Sequence, residues 1–390
     1  MLDASPSEIG EHIQRTTIKY RVRATNRGLC LTVNSDCNEK RTPLAEIDRQ
    51  IASTTHSRII FFPNDNTTTP RIARTVQVDT RQSAIAINTT RRSRHYRSQN
   101  TNIPLRIFSK MTDSRFQDKV VVVTGAGGNF GREGCLYFAQ RGAKVVGLDK
   151  NITALEETQK CIVQEQNITE EQIFVTSCDV TDTASVQAAV EAAVQKFGRI
   201  DLLWNNAGYQ GHITPTLEYD PKDFAMVMNI NVTGMFVVLQ AVAKQMVKQG
   251  PSSQKGGYSI VNTGSVAGLR GTPAMVAYAS SKAAVLAMTV STSKDLAPNG
   301  IRVNAISPAL IGPGFMWDRQ NELHAQSGSP YFAQDPETVA KNKINGVPMK
   351  RLGSIHEVIQ SVAFLLSEDS SYTTGTNLVV DGGMSSGLRC

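Results

Sequence analysis

Apolar positions fall into two textures along this chain. From Lys119 onward, short apolar runs alternate with segments of helical period. Val120-Val121-Val122-Val123 is β-branched and uninterrupted by polar residues, the mark of a strand covered on both faces. Val145–Leu148, Ile173–Thr176, Leu202–Asn205, Ser259–Thr263, Arg302–Ile306 and Asn377–Val380 read as further strands. Helical patterns lie between them: from the first glycine-rich turn through about Arg141, near residues 152–166, and over Ala184–Phe197, Pro221–Lys248 and Val276–Leu296. Gly198 and Gly300 stand where helix ends want a left-handed residue. Ser354 with Glu357 forms a capping box in front of Val358–Leu366. The alternation predicts βαβ units in one doubly wound α/β domain over 111–390, a parallel sheet with helices on both faces. Its ligand crevice is expected at the carboxyl ends of the strands.

Residues 1–110 look different. They hold 18 Lys+Arg against 9 Asp+Glu, whereas the rest of the chain is close to neutral, so the formal charge of +7 describes an extension and not the body. Ser, Thr, Asn and Arg dominate this extension, with no sustained helical period, and it is expected to be mostly disordered because it buries too little apolar surface to offset chain ordering. Three readings compete for it: a tail without function, an organelle transit peptide, and a nucleic-acid tail built on Arg91–Arg97. Asp3, Glu8 and Glu11 stand against the transit peptide, and short basic runs arise too often by chance to support the third. Met111 could also open the body by itself. No run of eighteen apolar residues suggests a membrane span, and the first residues lack the basic-then-apolar pattern of a secretory signal. The six cysteines show neither CxxC spacing nor the density of a disulfide framework, so a reducing, cytoplasmic setting is expected, with organellar import by the extension as the variant. Neither a membrane nor a nucleic acid is expected as a partner.

Thr124-Gly125-Ala126-Gly127-Gly128-Asn129-Phe130-Gly131 joins the first strand to the first helix. Glycines there let the backbone approach a pyrophosphate, whose charge a helix N-terminus favours. A tight turn without a ligand would leave the same local signature. Asp149, at the end of the second strand, can accept hydrogen bonds from ribose hydroxyls and would repel a 2′-phosphate, which favours NAD over NADP. Further on, Tyr278 and Lys282 are four residues apart and share a helix face. A cation near a phenol lowers its pKa from about 10 by favouring the phenolate. Ser265 follows the Ser259–Thr263 strand, where a hydroxyl could hold a substrate oxygen. Asn231 sits within a long helix, where it could simply stabilise a bend.

Together these segments resemble the short-chain dehydrogenase/reductase family over residues 116–390. The loop matches TGxxxGxG apart from Asn129 in place of the middle glycine, a residue that tolerates left-handed conformations. The resemblance implies that Gly125, Gly128, Asn129, Phe130 and Gly131 cradle NAD, and that Asp179 and Val180 contact adenine. Asn206, Ala207 and Gly208 correspond to the family's NNAG element, and Asp381-Gly382-Gly383 to its closing segment. It further implies Tyr278 as the general acid/base and Lys282 as the cation that tunes it and binds the nicotinamide ribose. Ser265 would orient the reacting oxygen, and Asn231 would hold a water in the proton relay. The family's Pro-Gly after the sixth strand is Pro308-Ala309 here, and Pro313 replaces its usual Thr. Carboxamide contacts therefore fall to backbone near Pro308 and Ile311.

Asn206–Gly211, Gly312–Gln320 and the segments at Tyr331-Phe332 and Val347-Pro348-Met349 resemble the bacterial NAD-dependent xylitol dehydrogenases within this family. The implied function is oxidation of a polyol to its ketose, with a substrate loop over 308–350. That loop is rich in polar groups, including Gln320, Asn321, Glu322, His324 and Gln326. Trp317 is expected to pack within the lid. The enzyme rival is an NADP-linked carbonyl reductase, such as one acting on 3-oxoacyl thioesters. The rival of another class is a catalytically idle scaffold or a nucleic-acid binder using its basic tail. The family also implies a homotetramer built through Pro221–Lys248 and Val276–Leu296.

Overall fold

The computed structural model describes residues 115–164, 168–253 and 255–386, and the backbone of residues 20–25, 28–33, 74–79 and 84–89. The chain divides into two units, Met1–Thr112 and Asp113–Cys390.

In the first unit β1 (Tyr20–Thr25) pairs antiparallel with β2 (Gly28–Val33), and β3 (Arg74–Asp79) with β4 (Ala84–Thr89). Neither ribbon is expected from the polar, Arg-rich composition of residues 1–110. Each uses the shorter period-two pattern, as in Ala84-Ile85-Ala86-Ile87, which needs only a turn between two six-residue strands. The rest of this unit, including Arg91–Arg97, lies outside the described residues, and so does most of the expectation of disorder.

The second unit is built on a seven-stranded parallel sheet in the order β11-β10-β9-β8-β5-β6-β7. Its strands are β5 (Val120–Thr124), β6 (Lys144–Asp149), β7 (Ile173–Ser177), β8 (Leu202–Asn205), β9 (Tyr258–Thr263), β10 (Ile301–Pro308) and β11 (Asn377–Val380). All five residues of β5 are buried, and its side chains alternate between two cores. Val121 and Val123 enter one apolar cluster, and Val120 and Val122 the other. Leu202 and Trp204 likewise part from Leu203. A strand in this position has no solvent face, which is why its sequence is a continuous apolar run.

Helices α1 (Asn129–Ala139), α2 (Ile152–Val163) and α10 (Ile355–Leu366) contribute to the first core. Helices α3 (Thr183–Phe197) and α5 (Met235–Lys248) contribute to the second. Helix α5 continues α4 (Pro221–Met228) through a π-helical turn at Asn229–Gly234. The whole segment is apolar and long enough to cross a membrane by composition, but Val238, Leu239, Val242 and Met246 are packed into the second core. The short helix α6 (Ala267–Arg270) leads into α7 (Val276–Leu296), which packs on β10. Helices α8 (Phe315–Gln326) and α9 (Pro336–Asn345) form the insertion after β10. Gly198 and Gly300 take left-handed conformations, and the Ser354–Glu357 capping box is formed.

The chain winds from β5 outward to β7, then returns to the other side of β5 at β8. That reversal opens a crevice at the carboxyl ends of β5 and β8. The glycine-rich loop and Asn205–Gly208 both emerge there.

Candidate active site

Thr124 joins the two loops at the crevice. Its hydroxyl donates to Asn205 Oδ1 (3.3 Å) and accepts the backbone N–H groups of Asn206 (2.8 Å) and Ala207 (2.9 Å). Gly125 has φ 69°, and a Cβ there would stand 3.1 Å from Ala207 Cα. At Gly131 a Cβ would lie 2.1 Å from Gly125 O and 2.7 Å from Ala126 Cα, so only glycine lets the first helical turn pass this close to the loop. Gly128 caps α1 with no side-chain partner, leaving the N-terminal amides of Asn129, Phe130 and Gly131 at a helix start. Asp149 bonds the loop from the end of β6: Oδ2 accepts Gly127 N–H at 3.0 Å, and Oδ1 accepts Asn151 N–H at 3.0 Å. Asp179 Oδ1 accepts both the N–H and the hydroxyl of Thr181, which hold its carboxyl below the ordinary range. Val180 lies against Gly234, where a Cβ would come within 2.8 Å of its Cγ2. A backbone cradle closed to any Cβ at 131, with a carboxylate at the neighbouring strand end, fits a dinucleotide. The loop would take the pyrophosphate and Asp149 the ribose.

A second group of residues stands beyond the carboxyl ends of β8 and β9. Asn231 occupies the π-helical turn, fully buried. Its Oδ1 accepts Tyr209 N–H at 2.7 Å, while Nδ2 donates to Tyr209 O (2.8 Å) and to Ser281 Oγ (3.0 Å). Both edges of the amide are thus committed. The π turn re-aims this residue within an otherwise continuous helix. Gly208 brings two groups together, since a Cβ there would be 3.3 Å from Asn231 Oδ1 and 3.6 Å from Lys282 Nζ.

Tyr278 and Lys282 share a face of α7 as their spacing predicts. Lys282 is 3% exposed, and its Nζ donates to Thr263 O at 2.7 Å. Burial drops this ammonium from 10.5 to about 8. The expectation that Lys282 lowers the Tyr278 pKa needs correction. Nζ is 5.6 Å from the phenol ring centroid and is turned toward Thr263, and the phenol is raised above its ordinary value by burial. The neighbouring Ser265 hydroxyl acts the other way and lowers it. Ser265 Oγ also accepts Ala267 N–H at 3.2 Å, which fixes the hydroxyl at the start of α6. The structure therefore gathers a hydroxyl, a phenol, a buried ammonium and a locked carboxamide at one side of the crevice.

Pro308 ends β10, its carbonyl accepting Val266 N–H at 3.0 Å. Ile311 forms an isolated bridge with Gly353. Within the insertion, Trp317 is buried, as expected of a packing residue. The polar residues do not line one surface. Glu322 pairs with Arg319 at the exterior, Gln326 is exposed, and Asn321 and His324 are buried toward α9, where Lys343 Nζ donates to Asn321 Oδ1 at 2.7 Å. Gln320 alone of these reaches the crevice loop, donating to Gln210 Oε1 at 3.1 Å.

Sequence reasoning missed Asp223. It is 6% exposed and accepts Tyr219 OH (2.6 Å), Tyr209 OH (3.2 Å) and His212 N–H (2.9 Å). These bonds hold its carboxyl below the ordinary range despite burial. Together with Asn231 it pins the loop that carries Tyr209. A lone Asp in a Pro-Lys-Asp helix start gives no local sign of such a role.

Residues 125–385 match the family model described as enoyl-(acyl carrier protein) reductase. Levodione reductase of Leifsonia aquatica is 35% identical over 272 residues, covering 70% of this chain and 96% of that protein. The chain belongs to the short-chain dehydrogenase/reductase family. A 3-oxoacyl-(acyl-carrier-protein) reductase of Thermotoga maritima is 35% identical over 270 residues, covering 69% of this chain and 99% of the relative. The crystal structure of an NAD-bound xylitol dehydrogenase shares 48% identity with a TM-score of 0.65, covering 69% of this chain and 99% of that one. Members of this family are oxidoreductases that use a nicotinamide cofactor, and the glycine loop, the NNAG element and the Tyr278–Lys282 pair all lie inside the matched region.

Proposed function

We propose that this oxidoreductase is an NAD-dependent polyol dehydrogenase that interconverts xylitol, or a close sugar alcohol, with its ketose. The observation that carries the reading is Tyr278 with the Ser265 hydroxyl and buried Lys282 beside it, next to the glycine cradle that Asp149 bonds. When bound, the nicotinamide supplies a two-electron acceptor at ring carbon C4.

The chain's own residues then handle the proton. Ser265 orients the substrate hydroxyl, and Tyr278 takes its proton. Lys282, held at Thr263 O, is placed to bind the nicotinamide ribose. Asn231, with its amide fixed at Tyr209 and Ser281, keeps the proton path in place. General acid–base catalysis of this kind contributes about 10²–10⁴-fold in rate. Gly125, Gly128–Gly131, Asp149, Asp179, Val180, Asn206–Gly208, Pro308 and Ile311 are proposed to hold NAD. The likeness to a xylitol dehydrogenase supports the substrate class, and Asp149 supports NAD, because its carboxylate repels a 2′-phosphate.

A homotetramer is part of the proposal. Phe236, Val247 and Val290 are exposed on the two long helices that would form its interface.

Steady-state oxidation of xylitol and related polyols with NAD and with NADP tests the reading. Turnover of xylitol with kcat/KM at least tenfold higher for NAD supports it. A preference for NADP, or reduction of a 3-oxoacyl thioester in place of polyol oxidation, overturns it in favour of the carbonyl-reductase alternative that the Thermotoga relative represents.

A further inference from the structure

Two carboxamides meet between the crevice loop and the insertion. Gln320 Nε2 of α8 donates to Gln210 Oε1 at 3.1 Å, across 110 positions of sequence. The bond uses one N–H of Gln320 and one lone pair of Gln210. A carboxamide offers two donors and two acceptor sites, and among the described residues neither side chain has another hydrogen-bond partner. The pair therefore presents free N–H groups and free carbonyl lone pairs side by side. A row of hydroxyls, each both donor and acceptor, is the complementary ligand.

Both side chains stand on braced elements. Gln210 is framed by Tyr209, whose backbone Asn231 holds on both edges, and by His212, whose N–H is bound to Asp223. The intervening Gly211 has φ 72°, and a Cβ there would strike Val227 Cγ2 at 2.5 Å, so the loop lies tight on α4. Helix α8 is tied to α9 by the Lys343–Asn321 bond. Gly208, two residues before Gln210, lies against both Asn231 and Lys282, so the loop that carries Gln210 starts at the reacting groups. Groups fixed in this way discriminate strongly, because a ligand lacking the matching hydroxyl leaves them unpaired.

We propose that Gln210 and Gln320 form the specificity-determining pair of the site, reading substrate hydroxyls beyond the one that reacts. The proposal rests on the polyol reading above. Its test compares wild type with Gln210→Met and Gln320→Met, using xylitol and cyclohexanol as substrates with saturating NAD. Each variant is expected to lose about tenfold in kcat/KM for xylitol, the worth of one neutral hydrogen bond. Cyclohexanol, with no second hydroxyl, is expected to change by less than about twofold on the same scale. NAD affinity, measured by calorimetry, reports that each variant is folded and should not move. An equal loss for both substrates would make the pair a mere lid latch and overturn the proposal, as would no loss for either. Failure of the underlying reading shows in the wild type alone, as xylitol turned over no better than cyclohexanol. That result removes the pair proposal as well.

Discussion

Gly131→Ala separates a shaped cofactor cradle from an ordinary turn. The alanine Cβ would lie 2.1 Å from Gly125 O and 2.7 Å from Ala126 Cα, both backbone atoms that cannot rotate away. Ordinary contact begins near 3.4 Å, so either the first turn of α1 or Gly125–Ala126 must move by about an ångström. Overpacking of this kind costs about 1–3 kcal/mol. If the loop moves, its amides leave the positions that suit a pyrophosphate, and the same free energy weakens NAD binding by roughly 5- to 150-fold. Calorimetric titration of wild type and Gly131→Ala with NAD is the assay, and the unfolding midpoint of each reports the stability cost separately. The expected result is a rise in Kd of that size for Gly131→Ala. An unchanged affinity would refute the assignment of this loop to the cofactor.

Two further substitutions test the physics around the site. His324 is buried and held near pKa 4, by burial first and by Lys343 second, against an ordinary 6.5. The unfolded chain therefore binds more protons between those values, so this contribution to stability is complete above pH 6.5 and is lost as the pH falls toward 4. Urea midpoints at pH 7 and pH 4.5 should fall further for wild type than for His324→Gln, and equal falls would contradict the placement. Arg302 is 7% exposed and donates to the carbonyls of Gly256, Leu365, Ser367 and Thr373 and to Ser370 Oγ. Lysine cannot reproduce that fork, so Arg302→Lys should cost about 3 kcal/mol, a Tm lower by roughly 6–12 °C, and a Tm within 2 °C of wild type would count against it.

The sheet was legible because every inner strand is buried on both faces. Leu202–Asn205 and Asn377–Val380 match the strands as read, and the others extend by a residue or two at one end or both. The π-helical turn was hidden, because Asn229–Gly234 keeps the apolar spacing of a continuous helix. Shared helix faces were readable for Tyr278 and Lys282, but the direction of the ammonium was not, since it depends on a carbonyl at the end of β9. The insertion misled in a similar way. Its polar residues looked like one hydroxyl-reading surface, yet Asn321 and His324 turn inward to α9, and only the fold brings Gln320 to Gln210. Asp223 lay beyond reach, because its partners come from positions up to 14 residues away with no periodic relation.

The most direct test of the account is NADH formation from xylitol by Tyr278→Phe, with NAD affinity measured on the same preparation. The account predicts turnover lower by about 10²–10⁴-fold with NAD bound as tightly as in wild type. Turnover within tenfold of wild type would show that another group moves the proton, and the assignment of Tyr278 would fall.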